Sequence, residues 1–524
     1  PGLDVPGAEV TPPEPVRPSP GGDALGFRLQ AVRFEGARAV PEADLQALAA
    51  PLIGARVTSD DLIALRLAAT RLYVARGYVT SGVVLPDQRL GDGVVRYRVI
   101  EGTLGDIRVA GPDRIAPDYL ASRLRRGLGT PLNVQDLRRR LRVLLRDPAI
   151  ARLDVALVPG AGQGIADLEV AVEAPPPVRL GLTVANDQSP SIGALSGELR
   201  ATGRSLLATG DRFTIAITGS EGLRAGEAGY AVPVARDDTT LFAAGELSTA
   251  DVVEPPFDTL DIASRTRSLE VGVRRPFYRS PAHDLSAGLA LDYTRSETEL
   301  LGRPFPFADG VGPDGVTVVA PLRASLDYTF TGAERVLSLR ATLSQGLGWL
   351  GATDNPGNTP DGRYFAWLGQ AGYAERLTDD GLVLSADAAL QLTPDRLLPV
   401  EQFAVGGLDP VRGYRANRFV RDNGFAGTLE LEVPLLRLPV PGLSESGADG
   451  RLSAVPFADL GRSWDTDGNG DDWLASIGAG LRWQIAPAIG AELYLAKPLI
   501  DHRAPGETAL QDYGVHFRLS VGFE

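Results

Sequence analysis

The chain has no cysteine and no methionine among its 524 residues. Without cysteine there is no disulfide, no thiolate metal site and no thiol nucleophile. Lysine is nearly missing too: Lys497 is the only one, so the basic charge is almost all arginine. The three histidines, His283, His502 and His516, are widely scattered and suggest no metal set. Net charge is −14, which leaves no basic field to collect phosphates and argues against a nucleic-acid binder. No apolar run approaches the ~18–20 residues of a membrane helix. That absence concerns helices only, because barrel strands leave almost no mark on average hydropathy.

What is present falls into three parts. Residues 1–26 hold seven prolines and read as an extended leader or linker. From Phe27 the pattern is strand, helix, helix, strand, strand. "FRLQAVRFEG" alternates, 40–52 and 59–76 have helical periodicity, and "YVTSGVVL" and "VVRYRVIEG" read as strands. Thr58 or Ser59 is the expected N-cap of the second helix, which stops at Gly77. The order then repeats, with a strand at "LGDIRVAG", helices at 116–126 and 133–146, and strands at 152–158 and 167–173. Two units of similar length, 27–102 and 103–174, therefore precede the stiff linker Pro175-Pro176-Pro177.

Beyond Val178 helical periodicity vanishes and period-2 alternation takes over. In "LVLSADAALQL" Leu382, Leu384, Ala386, Ala388, Leu390 and Leu392 share one face, and Ser385, Asp387 and Gln391 the other. "WLASIGAGLRW" and the final "YGVHFRLSVGFE" repeat the pattern, the latter with His516, Arg518 and Ser520 on the polar side. A soluble β-sandwich also alternates; connection lengths decide between the two. Short connections ("ATGD", "TGAE", "LTDD", "APAI") alternate with long ones such as "LLGRPFPFADGVGPDG" and "IDHRAPGETALQD". Sixteen candidate strands with this asymmetry predict a transmembrane antiparallel β-barrel over 175–524, its polar face lining a wet lumen. One connection, 437–450, is long on the short-turn side.

Motifs for catalysis are scarce. "GLGWLG" (346–351) matches a dinucleotide fingerprint, but no helix follows it, so a strand end is the better reading. "DTDGNGDD" (465–472) opens like a calcium loop with Asp465, Asp467 and Asn469. Position twelve is Ser476 rather than glutamate and the flanks are strands, so a solvated hairpin loop is preferred to an ion site. Glu430, Glu432 and Glu492 are expected as hydrated lumen wall. No cofactor and no enzymatic activity are expected.

Chemistry concentrates in "GGLDPVRGYRANRF" (406–419) and "PFADLGRSW" (456–464). Alternation puts Phe457, Asp459 and Gly461 on one strand face, and the apolar opposite face must meet lipid, so Asp459 points into the lumen. A lumen carboxylate wants a cation, and an arginine fork supplies two charge-assisted bonds. If loop 399–423 folds inward, Arg412 can supply it, with Gly413 allowing a tight turn and Tyr414 wedged against the wall. An outward loop carrying an ordinary surface arginine stands as an equal alternative on the residues alone.

"VRGY" (Val411, Arg412, Gly413, Tyr414) after a long loop, then "NGFAGTLELEVPL" and "FADLG" on the next strand, resembles the two-partner secretion outer-membrane transporters, the TpsB family of haemolysin secretion/activation and filamentous-haemagglutinin transporters. "RGYVTSGVVLPDQRLGDGVVRYRVIEGTLGDI" resembles the first POTRA domain of that family. The resemblance covers 27–524. It implies two POTRA domains ahead of a sixteen-stranded outer-membrane barrel, an inward loop whose Arg412 pairs with Asp459, and secretion without ATP. It also implies a large β-helical exoprotein of adhesin or haemolysin type as partner, with outer-membrane lipids and periplasmic chaperones, for a protein acting as a monomer. Two departures stand out: 1–26 is too proline-rich for the plug helix found there in the family, and "ANDQSPSIGALSGE" matches only loosely. The rival readings are a barrel-assembly factor of the same superfamily, which generally carries more POTRA units, and a passive porin.

Overall fold

A computed structural model describes residues 15–18, 26–444, 446–447 and 449–523. The proline-rich leader expected over 1–26 lies outside these apart from Pro15–Pro18 and Gly26. The chain divides into two units, Pro1–Pro175 and Pro176–Glu524.

The first unit contains the βααββ pattern twice. In the first copy Ala31–Glu35 runs parallel to Val94–Ile100, and Gly82–Val84 joins antiparallel on the other side. Helices Glu42–Ala49 and Ser59–Ala75 cover one face. Leu45, Leu65, Tyr73, Val95 and Tyr97 are fully buried between helices and sheet. Thr58 caps the second helix through a reciprocal pair with Asp61, as its hydroxyl accepts the Asp61 N–H while Asp61 Oδ2 accepts the Thr58 N–H at 2.8 Å. The strand expected over 78–85 shrinks to Gly82–Val84. Tyr78 N–H bonds back to Tyr73 O and Ser81 N–H to Tyr78 O, so the chain leaves the helix through turns that preclude a ladder. In the second copy Thr103–Ala110 lies parallel to Ile165–Glu173, with Arg152–Pro159 antiparallel at the edge. The copies are keyed together where Val134 N–H meets Gly77 O at 2.9 Å and Asn133 Nδ2 meets Arg76 O at 3.0 Å.

The second unit is a closed barrel in which sixteen long strands pair antiparallel with their sequence neighbours, and the last, Val515–Phe523, closes on the first, Val178–Ala185. The longest, Ile262–Arg279 and His283–Leu300, have 18 residues each; about 9–11 tilted residues suffice to cross a bilayer. The burial pattern is inverted relative to a water-soluble sheet. Leu247, Ile217, Leu429, Ile477 and Leu495 stand exposed on the outside, while Ser453, Asp459, Ser463, Ser476 and His516 are buried within. An apolar exterior around a polar interior is stable where the surroundings are hydrocarbon. Connections at one end are short, as at 332–334 and 487–488, and at the other long, as at 301–320, 347–364, 393–422 and 499–514. The exceptions are 438–450, long among short turns, and 220–222 and 465–470, short among long loops.

Candidate functional site: a loop latched inside the barrel

The connection 393–422 does not stay outside. Its ends form a small hairpin, Phe403–Val405 against Phe419–Arg421, and its tip descends into the lumen. The stem is clamped by side chains acting on backbone: Asp422 Oδ1 accepts Leu397 N–H at 2.9 Å, and Gln391 Nε2 donates to the carbonyls of Glu401 at 2.9 Å and Asp422 at 3.0 Å. Glu401 reaches across to Arg323 at 2.8 Å on strand Pro321–Thr331. The loop is thus tied to one wall before its tip meets another.

The tip meets strand Arg451–Trp464. Alternation there turns Val455, Phe457, Asp459 and Gly461 inward and leaves Ala458 and Leu460 facing out. Arg412 donates from Nε to Asp459 Oδ2 at 2.8 Å and from Nη2 to Oδ1 at 2.7 Å, and its backbone N–H adds a bond to Oδ2 at 2.9 Å. Its Nη1 pairs with Glu430, and the guanidinium lies 3.6 Å over the Phe457 ring. The Arg412 side chain is 4 % exposed and that of Asp459 0 %. Packed in this way, the pair is a fork locked by charge, plane and stacking together.

The other motif residues each have a place. Val411, fully buried, packs with Val405, Tyr414, Ala426 and Leu474. Gly461 makes room for it, since a Cβ there would lie 2.8 Å from Val411 Cγ2. Gly413 has φ +90°, a conformation L side chains rarely adopt, and its N–H donates to His516 Nε2 at 2.9 Å. Tyr414 places its hydroxyl 2.8 Å from Ala475 O. Asp465 and Asp467, the weak metal candidates, are engaged with arginines instead: Asp465 with Arg421 at 2.6 Å and Asp467 with Arg396 at 3.3 Å. Asn469 donates its N–H to Asp467 in the same loop. No group of metal-binding side chains is found among the described residues.

The glutamates expected as hydrated wall need correction. Arg482 bridges Glu430 at 3.2 Å, Glu432 at 2.9 Å and Glu492 at 3.2 Å, so all three belong to an ion-pair network that continues through Glu430 to Arg412. Sequence reading also missed His516 and the arginines beyond 412. The spacing Arg412, Arg415, Arg418, Arg421 was the available signal. Arg415 pairs with Asp512 at 2.8 Å and Glu254 at 3.1 Å, and Arg418 with Glu507 at 2.5 Å.

Comparison with known proteins matches this architecture. The sequence model of the family described as "Haemolysin secretion/activation protein ShlB/FhaC/HecB" matches residues 164–483, and that of "POTRA domain, ShlB-type" matches 27–102. The outer membrane transporter CdiB of Escherichia coli is 25% identical over 457 residues, covering 83% of this chain and 74% of the relative. The solved structure of CdiB from Escherichia coli aligns over 98% of this chain and 94% of its own, with TM-score 0.68 and 22% identity. BamA from Haemophilus ducreyi, lacking POTRA domains 1-3, aligns over 95% and 100% with TM-score 0.57 and 15% identity. At those identities structural likeness speaks for the fold, and the family rests on the sequence matches. With a family match over more than half its length, the chain belongs to the haemolysin secretion/activation family ShlB/FhaC/HecB, as an outer-membrane transporter of two-partner secretion whose POTRA domains stand in the periplasm.

Proposed function

We propose that the chain exports a large β-helical exoprotein of adhesin or haemolysin type, and that loop 393–422 is the latch that fills the pore between transport events. The buried fork of Arg412 on Asp459 carries this reading. A loop pinned across the lumen must yield before a polypeptide can pass, and its most deeply buried pin is the Arg412–Asp459 fork. The unfolded substrate adds as a strand to a POTRA sheet edge. Arg152–Pro159 pairs only with Ile165–Glu173 among the described strands, which leaves its other edge for main-chain bonding. Folding outside supplies direction without ATP. Periplasmic chaperones keep the substrate unfolded, lipids surround the apolar belt, and the barrel acts as a monomer without a catalytic step.

The test is co-expression with a candidate secreted protein of β-helical adhesin or haemolysin type, scoring its appearance in the medium. Arg412→Ala should still give a heat-modifiable barrel in the membrane yet lose most export. The substitution leaves Asp459 and Glu430 without their shared cation, a cost on the order of 3–5 kcal/mol for a buried pair broken on one side. Undiminished export by that variant would overturn the latch.

A further inference from the structure

The barrel closes where its last strand meets its first, and this junction has the shortest ladder of any between neighbouring long strands. Six residue pairs join them, from Arg518↔Ala185 to Phe523↔Leu180, among the described residues. At its outer end one longer backbone bond, Asn186 N–H to Phe517 O at 3.3 Å, is joined by a side chain. Asn186 Oδ1 accepts Phe517 N–H at 2.7 Å and its Nδ2 donates to Val515 O at 2.8 Å, the two bonds a further strand residue would make. Asn186 is itself held by Gln511, whose Nε2 donates to Asn186 O at 2.7 Å and Gln188 O at 2.8 Å. The other end of the same amide, Gln511 Oε1, accepts Ala416 N–H from the loop tip at 2.7 Å. Between Val515 and Phe517, His516 accepts Gly413 N–H. Gln511 and His516 are 0 % exposed and Asn186 2 %.

We infer that Gln511, His516 and Asn186 are positioning residues that couple the loop tip to the barrel seam, so that release of the latch and loosening of the outer seam are one event. The three side chains that carry the chain of bonds are buried, and an amide such as Gln511 cannot lose the loop without leaving its own Oε1 unpaired. Beyond the six pairs, the seam at that end has one backbone bond and the two bonds of the Asn186 amide. Coupling of this kind is reciprocal: what frees the tip loosens the seam, and what closes the seam holds the tip. This link does not depend on the export reading, and its test involves no export.

The measurement is hydrogen exchange of the folded full chain in detergent, followed by mass spectrometry. Asp459→Asn removes half of the latch on strand Arg451–Trp464, three strands from the last, and breaks no hydrogen bond of a seam residue. It should raise exchange at 514–519 and 183–188 about tenfold, the equivalent of one buried hydrogen bond, and leave the ladder between Pro321–Thr331 and Arg335–Gly346 unchanged. A chain with 408–416 replaced by two glycines has no tip to hold and should show the same loosening; seam exchange equal to that of the unaltered chain would overturn the proposal. Gln511→Leu, close in volume, should loosen tip and seam together, and a change confined to either one would also overturn it. Because the chain has no cysteine, Thr183→Cys with Ser520→Cys gives a single disulfide across the seam. Oxidised, it should slow exchange at 411–416 in the Asp459→Asn background, where Gln511 still joins seam and tip; no slowing counts against the coupling.

Discussion

At the residue scale the latch depends on shape as much as on charge. The Arg412 guanidinium is flat, stacks on Phe457 and presents paired donors to Asp459 while a third reaches Glu430. Lysine would keep the charge and lose the plane and the fork. Arg412→Lys is therefore expected to export at a level between the unaltered chain and Arg412→Ala, with faster proteolysis of the loop from outside, corresponding to a loss of about 1–3 kcal/mol. Alternation placed Asp459 in the lumen and made Arg412 a candidate partner, while the choice of this pairing over an outward loop came from the resemblance to the transporter family. Glu430 and His516 also lay on inward faces by alternation. Alternation reports face, however, and not what stands opposite. His516 meets Gly413 across 103 positions of sequence, and only the closed barrel brings them together.

At the element scale, strands and short turns followed from period-2 patterning, and the departures have local causes. The long connection 438–450 is tolerable among short turns because it satisfies its own backbone. Leu438 N–H bonds Gly450 O at 2.7 Å, Val440 N–H bonds Ser444 Oγ at 2.9 Å, and Ser444 Oγ donates to Ile485 O at 2.6 Å. Turn 205–211 is organised by one carboxylate. Burial pushes the Asp211 pKa up, but the N–H groups of Ala208, Leu206 and Leu207 and the Tyr230 hydroxyl outweigh it and hold the group below the usual carboxylate range. A depressed folded pKa adds stability at neutral pH that is lost as pH falls below about 4 and through the folded value. Thermal unfolding between pH 6 and pH 3 should show this. Asp211→Asn should be less stable at pH 6 by about 1–2 kcal/mol and should lose less on acidification.

At the scale of the whole molecule, the change from mixed helical periodicity to uninterrupted alternation at Val178 placed the division between the units, and the even strand count put both barrel ends at the short-turn end. The ties across the pore were not legible, because in pairs such as Arg323–Glu401 and Arg415–Glu254 at least one partner belongs to a connection whose path no local pattern encodes. The arginines at every third position from 412 to 421 meet acids from several separate connections and strands: Asp459, Glu254, Asp512, Glu507, Asp465 and Asp472. When the loop withdraws it takes the positive charges with it and the acids stay behind. The vacated passage is then an anionic sleeve, and the open pore should favour cations. In planar bilayers under a salt gradient, a chain lacking 408–421, and with it all four arginines, should show a reversal potential of cation-selective sign, and an anion-selective sign would contradict this. A sleeve of that charge also grades its cargo: a basic stretch of polypeptide is drawn through it, and an acidic one passes most easily in high salt, where the Debye length shortens to about 3 Å at 1 M.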